Sequence, residues 1–263
     1  MKLTTIEDLD LHPTLAIEAG ISLSELHTDY YKKLPPHYRA PGIHASELST
    51  CLRQVGYTLK NFKKVPQVPV DMAQRFEHGS AIHEMVQRHL RYQANMSKFR
   101  FKFDAEVSTA DTPLGKRYGI TSSCDGVCTW FNDDGTPLLR IGLEIKSEAP
   151  DSWAKLKAPR PKHVEQATVY QACLDLPLMY YMYYNKGTQQ ETPMNGTWML
   201  PFNKEIWASL EDKIDRVLET HYSGGPLLEG KKAYHCSWCP YQHDCQPATQ
   251  ARKSLEAELK EED

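Results

Sequence analysis

Leu143-Glu144-Ile145-Lys146-Ser147 follows Ser123-Cys124-Asp125-Gly126-Val127 across the turn Asn132-Asp133-Asp134-Gly135. Both stretches sit among β-branched and aromatic residues in short alternations, so they read as a hairpin with strands over about 119–131 and 138–147. Side chains alternate along a strand, which sends Glu144 and Lys146 to one face and Ile145 to the other. A two-residue turn at Asp134-Gly135 places Asp125 directly across from Glu144. A two-residue slip keeps the pair diagonal on one face, whereas a one-residue bulge separates them. Facing carboxylates about 5 Å apart repel by roughly 3 kcal/mol at an effective dielectric near 20, so a positive charge must compensate. Lys146 is one candidate, and a hard divalent cation, magnesium or manganese, is the other. Such an ion polarises a phosphoryl group and lowers the pKa of a bound water, which Lys146 is placed to orient. A Glu-x-Lys on a strand is by itself more often the signature of an exposed alternating face.

Other residues give the hairpin company. His83, in Gly79-Ser80-Ala81-Ile82-His83, lies beside Val86 and Leu90 on a helix expected over about 70–93, and a buried histidine wants a partner. A metal held by Asp125 and Glu144 would supply one, as would a backbone carbonyl. Gln166 and Tyr170 lie one turn apart on a helix over about 161–174, their polar tips facing the same way. Further elements are a helix over 46–60 capped by Ser46 or Ser49 with Cys51 in its first turns, strands near 103–109, 179–185 and 198–201, and a long helix over 204–222. This order predicts one α/β domain with a mixed sheet. Residues 1–44 form an N-terminal extension, 45–245 the core and 246–263 a charged tail.

Cys236, Cys239 and Cys245 form a C-x2-C-x5-C trio, and Cys51 lies almost the whole chain away. Two cysteines separated by two residues present thiolates toward one point, the third can reach the same metal, and Cys51 can supply the fourth ligand. A metal held this way ties the start of the folded region to its end. His235 or His243 could replace one cysteine. Cys124, Cys128 and Cys173 read as small buried residues, the first two on one strand face.

The 263 residues, 40% of them hydrophobic, suffice for a packed core, and no run approaches membrane-spanning length. The acidic N-terminus lacks the character of a signal peptide, so a cytoplasmic location and reduced cysteines are expected. A net charge of −3 excludes a chain that coats nucleic acid nonspecifically. Local basic runs remain: Arg53 with Lys60, Lys63 and Lys64; Lys98, Arg100 and Lys102; Lys155, Lys157, Arg160 and Lys162.

In order and spacing, Gly79-x3-His83, Asp125, Glu144-x-Lys146 and Gln166-x3-Tyr170 resemble the RecB-like branch of the PD-(D/E)xK nucleases. The early cysteine and late trio resemble the iron-sulfur members of that branch, the CRISPR-associated Cas-four type exonucleases and the AddB nuclease domain, although Leu52 stands where a proline often follows the first cysteine. The resemblance implies a restriction-endonuclease-like core with a central mixed sheet flanked by helices, plus a cysteine-ligated subdomain. It implies that His83, Asp125, Glu144 and the carbonyl of Ile145 bind a catalytic Mg2+ or Mn2+, that Lys146 acts on the attacking water, and that Gln166 and Tyr170 contact DNA. Cys51, Cys236, Cys239 and Cys245 would hold a structural [4Fe-4S] cluster, with zinc the alternative for a four-thiolate site. The expected activity is an exonuclease on single-stranded DNA ends, in recombination, repair or CRISPR adaptation alongside integration proteins. The competing expectations are a noncatalytic DNA-end-binding scaffold subunit and a zinc-ribbon regulator.

Overall fold

The computed structural model describes residues 25, 28, 30, 31, 41–62, 64, 69–98, 100–191, 198–230, 236 and 239–245. Most of the N-terminal extension, the whole charged tail, Lys63 and His235 lie outside the described residues. The elements run α1 (Ala45–Leu48), α2 (Leu52–Leu59), α3 (Val70–Met96), β1 (Phe101–Ser108), α4 (Pro113–Tyr118), β2 (Ser123–Phe131), β3 (Pro137–Glu148), α5 (Pro150–Ala154), α6 (Pro161–Leu174), β4 (Leu178–Asn185), β5 (Met199–Pro201) and α7 (Lys204–Tyr222).

The five strands form one mixed sheet in the order β1-β2-β3-β4-β5. Neighbours pair antiparallel except β3 and β4, which are parallel and joined by a crossover through α5 and α6. Alternation along β3 and β4 gives the sheet two apolar faces. Leu143, Ile145 and Met182 pack with Phe103 and Cys128 against Ile82 and Val86 of α3. On the opposite face Val127, Met179, Tyr181 and Tyr183 meet Leu48, Val55, Ala167, Val169, Leu210, Ile214 and Val217 of α1, α2, α6 and α7. Among the described residues no helix is long and apolar enough to cross a membrane.

Several local expectations change. The single helix over 46–60 is two. The hydroxyls of Ser49 and Thr50 donate to the Ser46 carbonyl at 3.1 and 2.6 Å, an alternative to continued helix that ends α1. Cys51 stands between the helices in extended conformation, φ −155° and ψ 113°, and is not in a helical turn. Neither Ser46 nor Ser49 caps an N-terminus, since His44 occupies that position before α1. Two short helices appear that the sequence reading lacks: α4, with Thr112 accepting from the Gly115 amide and left-handed Gly119 ending it, and α5, opened by Pro150.

The hairpin register is the expected one, Gly126↔Leu143 through Trp130↔Leu139, but the turn is not. The Asn132 amide donates to the Thr136 carbonyl at 2.9 Å, which closes a three-residue loop with Gly135 at φ +80°. A bulge between Trp130 and Phe131 then restores the register.

The face assignment of the cysteines is corrected too. Cys124 belongs to the core under α6, whereas Cys128 belongs to the core under α3. Val127 shares the core of Cys124, so the pleat breaks between them, at Asp125-Gly126. There the Cys124 thiol donates to the Gly126 carbonyl at 3.2 Å. Opposite the break, Glu106 has a left-handed backbone at φ +50°, and neither Glu106 nor Asp125 takes part in the β1–β2 ladder.

Candidate active site

The break in β2 and the end of its pairing with β3 open a gap in the sheet, and the acidic residues collect there. Ladder pairing stops at Gly126↔Leu143, one residue short of the expected Asp125 and Glu144 pair. Asp125 turns into the gap instead and its Oδ2 accepts the Ile145 amide at 2.6 Å. In a regular strand one residue's N–H and C=O point to the same side, so the Ile145 carbonyl faces this gap as well. Asp125 Oδ1 lies 3.4 Å from His83 Nδ1 on α3. Burial opposes a charge on His83, but the hydrogen bond and negative charge of Asp125 outweigh it and raise the imidazole pKa above its ordinary value.

Glu144 and Lys146 project together toward α6, as alternation requires, while Ile145 faces α3. The Glu144 side chain is fully buried and its Oε1 pairs with Lys146 Nζ. Apart from that ion pair its two carboxylate oxygens meet no hydrogen-bond donor among the described residues. Burial is the largest influence on both members and drives each toward neutrality. For Lys146 the attraction of Glu144 and Asp125 prevails and holds its pKa up; for Glu144 burial prevails, with the repulsion of Asp125 beside it, and raises the carboxyl. Glu144, Asp125, His83 and Lys146 therefore act on one another as a single electrostatic unit. The carboxylates approach the gap from opposite faces of the sheet.

Gln166 and Tyr170 meet each other, Gln166 Nε2 donating to the Tyr170 hydroxyl at 2.9 Å. Tyr170 is buried within the α6-side core, and its pKa is raised well above the ordinary tyrosine value by burial and by the charge of Glu144. The pair borders the acidic set, with Gln166 the more open of the two. His163, which the sequence reading passed over, is buried on the same helix, its Nδ1 2.7 Å from the Tyr183 hydroxyl. Three basic candidates already have acidic partners, Arg100 with Asp133 at 2.7 Å, Arg160 with Glu148 at 2.9 Å and Lys102 with Asp104 at 2.9 Å.

Two further residues belong to the site. Gln87, one turn after His83 and 6% exposed, donates from Nε2 to Glu106 Oε1 at 2.7 Å and to the Asp125 carbonyl at 3.0 Å. Among the described residues, one group of three or more His, Cys, Asp or Glu has its ligand atoms within 4.8 Å of one another: His83, Glu106 and Asp125. The spacing of His83 and Gln87 on one helix face was the signal available for Gln87.

The cysteines of the trio lie in a separate small core with Tyr57, Tyr241 and Leu227. The Tyr57 and Tyr241 rings stack with centroids 5.1 Å apart, and the Tyr57 hydroxyl donates to the Asp244 carbonyl at 2.6 Å. A hydroxyl–hydroxyl contact of 3.0 Å joins Thr58 and Tyr241. These contacts seat the C-terminal segment on α2, next to Cys51. Burial pushes the Cys239 thiol up to about 11, and Cys236, Cys245 and Cys51 add to that rise. No disulfide joins any of the seven cysteines.

No protein-family model matches the chain, and no curated protein matches it. Solved structures do. The crystal structure of SSO0001 is similar at TM-score 0.51 and 15% identity, over 86% of this chain and 97% of that one. The alkaline exonuclease LHK-Exo from Laribacter hongkongensis gives 0.44 at 12% identity over 71% and 90%, and LHK-Exo in complex with dAMP gives 0.42 at 13% over 70% and 89%. The likeness to SSO0001 extends over nearly the whole of that chain and shows a shared fold.

Proposed function

We propose that this protein is a divalent-metal-dependent DNA nuclease, acting as an exonuclease on single-stranded ends. The observation that carries the reading is the contact of His83 with Asp125 at the gap between β2 and β3, coupled electrostatically to the buried Glu144–Lys146 pair on the other face of the sheet. A divalent cation fits this set. Carboxylate oxygens and one imidazole suit magnesium or manganese, and a buried carboxylate that meets one lysine and no other donor among the described residues has lone pairs to offer. Asp125, Glu144, His83 and the Ile145 carbonyl would hold the ion, which when bound polarises a phosphoryl group and lowers the pKa of a bound water.

The chain's own residues supply the rest. Lys146, kept protonated by Glu144 and Asp125, sits beside the reacting position and stabilises charge gathering on the phosphate, while in-line attack of water leaves a 5'-phosphate and a 3'-hydroxyl. Gln166 borders the site from α6 and contacts the strand near the cut, with Tyr170 fixing its amide. Cys51, Cys236, Cys239 and Cys245 would hold a structural [4Fe-4S] cluster, whose ligands stand farther apart than those of a single zinc ion; no three of these thiols lie within 4.8 Å of one another. The setting is end processing in recombination, repair or CRISPR adaptation.

The test is anaerobic purification with iron and zinc analysis, followed by digestion of end-labelled single- and double-stranded DNA with Mg2+ or Mn2+. Expected are iron with sulfide and shortening of single strands from an end, lost in Lys146→Ala. A chain that binds DNA ends and cleaves nothing under either metal is a scaffold, and the nuclease reading is then wrong.

A further inference from the structure

We propose that Glu106 is a ligand of the divalent cation, held on the α3 side of the site together with His83 and Asp125; the inference rests on the metal-dependent reading above. Three observations carry it. First, the ligand atoms of these three residues already stand within 4.8 Å of one another, the spacing at which one ion can bridge them. Second, the buried Gln87 clamps the Glu106 carboxylate and the Asp125 backbone through one amide group, so both acidic residues are fixed by the same side chain. Third, the Glu144 carboxylate, fully buried and meeting no donor beyond Lys146 among the described residues, acts electrostatically on Asp125 and His83 from the other face of the sheet. Two carboxylates thus stand beside one imidazole, with the charge of a third behind them, a donor set in want of a cation.

The backbone agrees. Glu106 adopts φ +50° inside a strand whose neighbours on both sides, Ala105 and Val107, pair normally with Gly126 and Cys124. A glutamate gains nothing from that conformation as a strand residue. The left-handed turn takes its side chain out of the pleat at the one position opposite Asp125. With Asp125 Oδ2 engaged by the Ile145 amide, Oδ1 is the oxygen directed to His83, and Glu106 adds a carboxylate beside it. Gln87 is a positioning residue in this scheme, and Glu106 a ligand.

Mn2+ titration of the full-length protein, followed by the electron-paramagnetic-resonance signal of free Mn2+, tests the assignment without reference to cleavage. Glu106→Gln should weaken Mn2+ binding about tenfold or more while leaving the metal-free unfolding midpoint where it was. Glu106→Gly, which accepts the left-handed backbone at no steric cost, should weaken it equally. Gln87→Leu should weaken binding less. Wild-type affinity in both Glu106 variants overturns the proposal, and if Asp125→Asn still loses binding the nuclease reading survives it. A wild-type protein that takes up no Mn2+ refutes both together. A lower midpoint with unchanged Mn2+ affinity makes Glu106 structural only, and also overturns the proposal.

Discussion

The Ile145 amide donates to Asp125 Oδ2 at 2.6 Å just where the β2–β3 ladder gives out. A side-chain carboxylate thus does what the next backbone carbonyl would do, which gives Asp125 a structural task beside the metal-binding one proposed for it. The two tasks separate by substitution. Asp125→Asn keeps an acceptor for the amide and should leave the urea midpoint nearly unchanged while cutting DNA cleavage by about 10²–10³-fold or more. Asp125→Ala should lose the same activity and in addition about 1–3 kcal/mol of stability, because it leaves the Ile145 N–H without its partner. Equal stability of the two variants would show that the hydrogen bond does not hold the gap.

The Glu144 and Lys146 pair makes a second prediction. Lys146→Met strands a fully buried carboxylate and should cost about 3 kcal/mol at neutral pH. Adding Glu144→Gln removes the stranded charge, so the double variant should be more stable than Lys146→Met alone. Chemical unfolding of the four proteins in the cycle measures this, and strict additivity would contradict the coupling. All three variants should be inactive.

The hairpin was readable because a tight turn links its strands and transmits register. Even a misjudged turn did no harm: the loop has three residues, not two, and the bulge at Trp130 restores what the longer loop displaces. Glu144, Lys146 and Ile145 therefore face as alternation requires. Glu106 was not readable. β1 reaches β2 through α4, so no turn fixes their register, and nothing in a glutamate announces φ +50°. The same irregularity, by breaking the pleat, put Cys124 and Cys128 on opposite faces against strict alternation. Cys51 was placed in a helix because its neighbours favour one; hydroxyl bonds to the Ser46 carbonyl cut that helix in two.

Gly126 supplies a third prediction, because it lets the β2 backbone approach an aromatic ring. A Cβ at this position would lie 2.3 Å from Phe103, inside the α3-side core. Gly126→Ala should destabilise the domain by about 1–3 kcal/mol through overpacking, and since Gly126 follows Asp125 it should disturb Mn2+ binding as well. Phe103→Leu makes room, so the double variant should recover part of both losses. Calorimetric midpoints and Mn2+ titration report the two effects separately.

His163 sets a pH dependence whose sign can be worked out. The Arg160 amide donates to the Tyr183 hydroxyl at 2.9 Å, and the same hydroxyl lies 2.7 Å from His163 Nδ1. Burial, reinforced by the positive charges of Lys146, Lys162 and Arg160, lowers the folded-state pKa to about 2. The unfolded chain, with a histidine pKa near 6.5, binds the proton that the folded chain refuses, so this contribution is complete above about pH 6.5 and is lost as the pH falls below it. Between pH 7 and pH 5 the loss should be about 2 kcal/mol. His83 and Glu144 work in the opposite sense, their raised pKa values favouring the folded state on the acid side, so the total slope is smaller than that of His163 alone and only the difference between wild type and variant isolates it. His163→Gln should flatten or reverse the dependence between pH 7 and pH 5. Urea midpoints across that range, in wild type and variant, decide it: parallel curves would mean that the folded protein protonates His163 after all.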